Sequence, residues 1–129
     1  MAILPVTRAI YLCEDYVRRV EGRVDLIGVY STYRTRDPFP VQREEVKLFA
    51  QLTNGSGDVP FFIDVRNVEA EELIYTTRIR YLFFPDRLKI VYMAVTIPAI
   101  QFPMDGLYSF GLYCDNIWIA DILLRIHQI

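Results

Sequence analysis

Few residues of this chain could do covalent chemistry, and their spacing does not favour it. There is one histidine, His127, third from the end, and there are two cysteines, Cys13 and Cys114. Hydrolysis of the serine or cysteine type needs a base beside its nucleophile, so any such site must be built on His127. That residue falls on the polar side of a terminal alternating run, the usual place of a solvated histidine, and a hydrolase using His127 is the last of three functional readings. The cysteines form no CxxC or Cys/His ligand spacing, which argues against structural zinc. Glu69, Glu71 and Glu72 cluster in one turn, while Asp58, Asp86, Asp105 and Asp115 occupy separate turns. Calcium takes about six to eight oxygens, so an end-loop site using Asp58, Asp86 and Asp115 is a second reading, set against the plain role of Asp as a turn former. The glycines, Gly28, Gly55, Gly57, Gly106 and Gly111 among them, make no GxGxxG or GxxxxGK loop. No catalytic, cofactor or metal residue is assigned, and the expectation is a protein that is not an enzyme.

Aromatic and apolar residues carry more information. In the stretch YSTYRTRDPFP, Tyr30, Tyr33 and Phe39 surround Arg34, Arg36 and Asp37. A long connection rich in aromatics and charge is a place where binding surfaces form, and it is equally a place where aromatics anchor a crossover between two sheets. A second candidate lies at Tyr92 and Met93, inside a run that is apolar on both faces: Leu88, Ile90, Tyr92 and Ala94 on one, Val91, Met93, Val95 and Ile97 on the other. A two-layer sandwich buries only one face of each strand, so the other must be covered by a loop such as 98–106 or by another chain. In the latter case a two-fold homodimer burying on the order of 1,200 Å² or more is the natural arrangement.

The elements that position these residues are strands. Val46, Leu48, Ala50 and Leu52 alternate with more polar neighbours. Leu73, Tyr75, Thr77, Ile79, Tyr81 and Phe83 share a face opposite Thr76, Arg78 and Arg80; Trp118, Ala120, Ile122, Leu124 and Ile126 oppose Asp121, Arg125 and His127. Such period-two patterns mark half-buried strands. Turn clusters at 54–58, 85–86, 103–106 and 115–116 separate them. Strands are expected at about 6–13, 24–32, 45–54, 60–67, 73–83, 87–97, 107–114 and 117–127, with 14–22 either extending the first hairpin or forming a helical turn ended by Gly22. The prediction is one all-β domain over 1–129, an antiparallel sandwich of about eight strands, with under about a tenth of its residues helical.

Hydrophobic residues make up 53% of the 129 residues, which mildly favours an apolar contact surface beside a tyrosine-rich core. A net charge of −2 argues against nucleic acid, since binders cluster Lys and Arg to neutralise phosphates. The N-terminal stretch MAILPVTRAIYLCEDY reads as neither a signal peptide nor a membrane span, so a cytoplasmic protein with reduced, buried thiols is expected.

Cys13, Glu14, Asp15 and Val17, then Glu21, Gly22 and Arg23, then the run Leu26 to Tyr30 resemble the opening of a bacterial domain family of unknown function, which reads CDD, GGK and SLIGVY. Phe39 and Pro40 fit its FPxxxPK element, although Arg43, Glu44 and Glu45 stand where the second proline and lysine would be. Pro103, Gly106, Tyr108, Phe110, Leu112, Tyr113, Asp115 and Ile117 match its closing hairpin, PxxGxYxFxLYxDGxxI, with Asn116 replacing the turn glycine. The resemblance implies a sandwich of immunoglobulin-like or C2-like pattern and brings no activity, cofactor or catalytic residue. The leading functional reading is a non-catalytic interaction or structural module that associates with itself or with another protein.

Overall fold

The protein, described by a computed structural model over residues 3–129, folds as two packed β-sheets. With strands numbered in chain order, β1 (Val6–Arg18), β2 (Val24–Val29), β4 (Val41–Thr53) and β8 (Val91–Phe102) form an antiparallel sheet in the order β2-β1-β4-β8. The second sheet runs β3 (Thr32–Thr35), β10 (Ile117–Gln128), β9 (Gly106–Cys114), β5 (Gly57–Asn67) and β6 (Glu72–Thr76), and β7 (Arg80–Phe84) pairs with the other half of β5. The all-β sandwich expected from alternation is therefore present. Val46, Leu48, Ala50, Leu52, Met93, Val95 and Ile97 point inward from one sheet and meet Val59, Phe61, Ile63, Val65, Phe110 and Leu112 from the other, all buried in one core. Burying each large side chain of this set contributes about 1.5–3 kcal/mol.

The closing hairpin shows how the turn chemistry works. Asp115 and Asn116 both have positive φ, 52° and 65°, in the two-residue loop that pairs Cys114 with Ile117. That is the conformation whose twist matches the flanking strands, and Asn and Asp tolerate it. At the other end of β9, the fully buried Tyr108 donates its hydroxyl to Met104 O at 2.6 Å and accepts from Met104 N at 3.3 Å. The turn at 103–106 is thus tied to the core by a satisfied phenol.

Ten strands replace the expected eight, for identifiable reasons. The ambiguous segment 14–22 extends the first hairpin and ends in a 3₁₀ turn at Val20–Gly22. Residues 32–35 form a short edge strand parallel to the end of β10, the one departure from antiparallel pairing among the described strands. Residues 98–102 are not a covering loop: β8 continues through them, with Pro98 opposite Glu45 and Phe102 opposite Val41.

The predicted strand 73–83 is the most consequential correction. In β6, Tyr75 lies opposite Val65 and Thr76 opposite Asp64; in β7, Arg80 lies opposite Phe61 and Leu82 opposite Val59. Continuing the β6 register would set Tyr81 opposite Val59, facing inward. Instead β7 resumes one residue out of step. Thr77 is the cause: its N donates to Ile63 O at 2.9 Å, while Ile63 N donates to Thr77 Oγ1, also at 2.9 Å, in place of the Thr77 carbonyl. A side chain standing in for its own backbone lets the main chain leave the ladder over 77–79. Because side chains alternate with period two, a one-residue shift exchanges the faces. Leu82 and Phe84 go in; Tyr81 and Phe83 come out.

Candidate interaction face

The outer face of the six-stranded sheet gathers apolar side chains from four strands. Trp118 of β10 lies opposite Tyr113 of β9, and Tyr113 lies opposite Phe62 of β5. The Phe62 and Tyr113 rings stack with centroids 5.0 Å apart and planes 2° from parallel. Gly111 leaves room beside them: a Cβ there would sit 3.2 Å from the Tyr113 ring and 3.6 Å from Trp118. Pro60 faces Tyr81, Asp58 faces Phe83, and Ile79 lies beside Phe62. A shallow cleft of about 220 Å³ runs between Pro60, Phe62, Ile79, Tyr81, Asp115 and Asn116. Tyr81 is 67% exposed, Phe83 62%, Ile79 59% and Trp118 54%. Single exposed apolar residues are ordinary in folded proteins, whereas several grouped on one face are less so.

The other end of the same face is polar and internally paired. Asp64, almost fully buried, bonds Arg66 at 3.2 Å, and Ser109 donates to Asp121 at 3.1 Å. Arg125 reaches Asp105 at 2.7 Å, and Gln128 N donates to the same carboxylate at 2.7 Å. The Gln128 amide, then Arg125, hold Asp105 below the usual carboxylate range. His127 lies here too, its Nδ1 3.7 Å from Asp105 and 3.3 Å from Arg125 Nη2. Neither neighbour is a serine or a cysteine, and the arrangement fits a terminal strand pinned by charge.

The residues singled out from the sequence do not form one surface. Tyr30, Tyr33 and Phe39 are half-buried against the core and anchor the crossover between the sheets. The Arg43 guanidinium caps Tyr33 at 4.1 Å and Tyr30 at 5.6 Å from the ring centroids, a geometry that ties β4 to that crossover. Burial pushes the Tyr30 phenol up, and the Arg43 charge opposes it. Arg34 and Arg36 project into solvent on the same stretch. Met93 is a correction: at 2% exposure it belongs to the core and not to a surface, because its parity places it with Val95 and Ile97. Tyr92 is on the outer face of its sheet, half-buried.

What covers that outer face is the distal arm of the first hairpin. Arg18 Nη2 donates to Tyr92 O at 3.5 Å, spanning β4. The Tyr16 ring lies 6.4 Å from Phe49, which lies 5.4 Å from Tyr92. Phe49 is consequently buried although it points away from the core. Gly28 has φ +62°, at a position where a Cβ would fall 2.5 Å from Glu14 Cγ, so Glu14 and Gly28 form a close crossing within the arm. Beyond the arm's tip, Leu88 and Ile90 remain exposed beside Glu21 and Gly22.

Cys13 and Cys114 are free, buried and on different sheets; burial, with Asp115 adding to it, pushes the Cys114 thiol up to about 12. Asp86 accepts from Leu88 N at 2.8 Å as a turn former, and Asp115 sits in the hairpin loop. Among the described residues, no three His, Cys, Asp or Glu side chains converge on a metal-holding position. Among the same residues no helix is long and apolar enough to cross a membrane.

The aromatic face escaped sequence reasoning although a signal was present. The run from Pro60 to Ile63 is apolar on both parities, the same property that drew notice at 87–97. A family model described as a family of unknown function (DUF6941) matches residues 8–127, spanning both stretches that carried the resemblance. No curated protein matches the chain.

Proposed function

The chain belongs to this family of unknown function, and from that premise we propose that it is a non-catalytic interaction module whose contact surface is the aromatic face of the six-stranded sheet. The observation that carries the reading is the outward set of Phe62, Ile79, Tyr81, Phe83, Tyr113 and Trp118, in which the register shift at 77–79 adds Tyr81 and Phe83 to the face that Phe62, Tyr113 and Trp118 line. Aromatic residues at the centre of a patch with a polar, internally paired border are the composition of a protein contact. The partner is therefore another protein chain. A reducing, cytoplasmic setting belongs to the same reading and is supported by two buried thiols left unpaired on separate sheets.

Site-specific photocrosslinking in cells tests it. A photoreactive phenylalanine analogue replaces Phe62, Tyr113 or Trp118 in turn, with Tyr11 and Ile27, exposed on the opposite sheet, as controls. The expected result is one common protein adduct from the three face positions and none from the controls. Adducts of equal yield from the controls, or none from the face, overturn the proposal.

A further inference from the structure

We infer that the cleft between the facing edges of the two sheets, lined by Arg78 and Arg80, binds a small oxyanion, the phosphoryl group of phosphate or of a phosphate monoester. The site is separate from the aromatic face and does not depend on it. β8 pairs only with β4, while β6 and β7 pair only with β5, so each sheet ends in an edge strand along this side of the sandwich. Beside the break at 77–79 lies a cleft of about 210 Å³, with Tyr75, Thr77, Arg78 and Arg80 on one side and Thr96 and Pro98 on the other. Arg80 lies opposite Phe61, which is in the core, and shares the parity of Leu82 and Phe84. It therefore rises from the inner side of its sheet, at the margin where the core ends. Arg78 reaches the same cleft from the stretch that has left the ladder.

The charge of the lining selects the ligand. The cleft holds two guanidiniums and no carboxylate. Among the described residues neither Arg78 nor Arg80 pairs with an acid, whereas Arg66 and Arg125 of the same sheet are held by Asp64 and Asp105. The acids closest in register face elsewhere. Asp64, opposite Thr76, is on the outer face with Arg66; Glu45, opposite Pro98, has the outward parity of Lys47 and acts on it. Two like charges lining one concave gap focus a field that attracts an anion. Hydroxyls add donors. Thr77 Oγ1 already accepts from Ile63 N at 2.9 Å, so its own proton is left for a third group. Tyr75, opposite the buried Val65, brings a second hydroxyl to the inner side. Two guanidinium forks with hydroxyl donors match the roughly −2 charge and three acceptor oxygens of a phosphoryl group better than the single charge of a carboxylate. Ordinary ligand pockets begin near roughly 300 Å³, so this smaller cleft takes the anionic head and leaves a substituent outside.

Titration of the isotope-labelled chain with inorganic phosphate, followed by amide chemical shifts at low ionic strength, decides this, because exposed charges are least screened there. Saturable shifts are expected at residues 77–80 and at Thr96, with an affinity in the millimolar range. Phenyl phosphate is the second probe. Equal affinity for the two assigns the cleft to the free anion, and tighter binding of phenyl phosphate assigns it to a monoester; either result upholds the inference. Arg78→Gln and Arg80→Gln each remove a charged donor from an exposed position and are expected to weaken phosphate binding at least about tenfold with an unchanged far-ultraviolet spectrum. Arg36→Gln changes the net charge equally at an exposed arginine of another stretch and is expected to leave the affinity as it was. The absence of saturable shifts up to about 50 mM phosphate overturns the inference. So does binding that survives both substitutions in the cleft, an equal loss in Arg36→Gln, or acetate bound as tightly as phosphate. None of these results touches the crosslinking outcome, so failure of the cleft and failure of the face are told apart.

Discussion

Thr77 is a half-buried threonine whose hydroxyl decides the orientation of four residues after it. Because Ile63 N donates to Thr77 Oγ1 and Ile63 is buried, Thr77→Val leaves a buried N–H without its acceptor. The expected loss is about 1–3 kcal/mol of stability, read as a lower urea midpoint, with Thr77→Ser close to wild type. Gly55 is a second residue of this kind: a Cβ there would lie 2.7 Å from the ring of the buried Phe84. Gly55→Ala should cost about 1–3 kcal/mol by overpacking in the same measurement. Neither role can be read from the residues alone. Threonine in a strand-like run reads as another β-branched strand former, and only the paired strand reveals that its side chain replaces its carbonyl. The inward rows were legible, because Val46, Leu48, Ala50 and Leu52 alternate against one core. Met93 was not, because a run apolar on both faces carries no parity signal.

At the scale of elements, strand positions followed from alternation and turn residues, whereas strand relations did not. The segment 14–22 offered two readings, and the arm it builds crosses β4 to reach β8 through contacts far apart in sequence. The arm is fastened by exposed polar groups. Lys47 reaches Asp15 at 2.9 Å and, by that bond first and then the Tyr16 amide, holds the Asp15 carboxyl below its ordinary range. A carboxyl depressed in the folded state stabilises it above the ordinary carboxylate range and loses that contribution as pH falls through the depressed value. Acidification below about pH 4 should therefore loosen the arm, measured as faster amide exchange over residues 14–28 than in β4 or β9. Lys47→Gln should reduce that pH dependence. Asp105, depressed by the Gln128 amide and Arg125, should add a parallel loss at the end of β10, abolished in Asp105→Asn. Arm residues exchanging as slowly as β4 at pH 3 would contradict the assignment.

Over the whole molecule, the two outer faces differ in kind. The four-stranded sheet covers Phe49 on its outer face with its own hairpin, so that ring is buried without a second chain. Among the described residues the six-stranded sheet has no such arm over Phe62, Tyr81, Phe83, Tyr113 and Trp118. The sequence pointed to an apolar face on the sheet of β8 and passed over the outward aromatics of the other sheet, since the covering element and the one-residue shift are both non-local. Hydroxyl-radical footprinting, comparing dilute purified protein with the same protein inside cells, tests the central claim most directly, because Trp118 is the sole tryptophan and aromatic rings report their own exposure. The account predicts that Tyr81, Phe83 and Trp118 oxidise readily in dilute solution and are protected in cells, while Val17 and Ile27 on the exposed arm react equally in both. Tyr81 and Phe83 as protected in dilute solution as the buried Phe84, or all three as reactive in cells as in isolation, would contradict it.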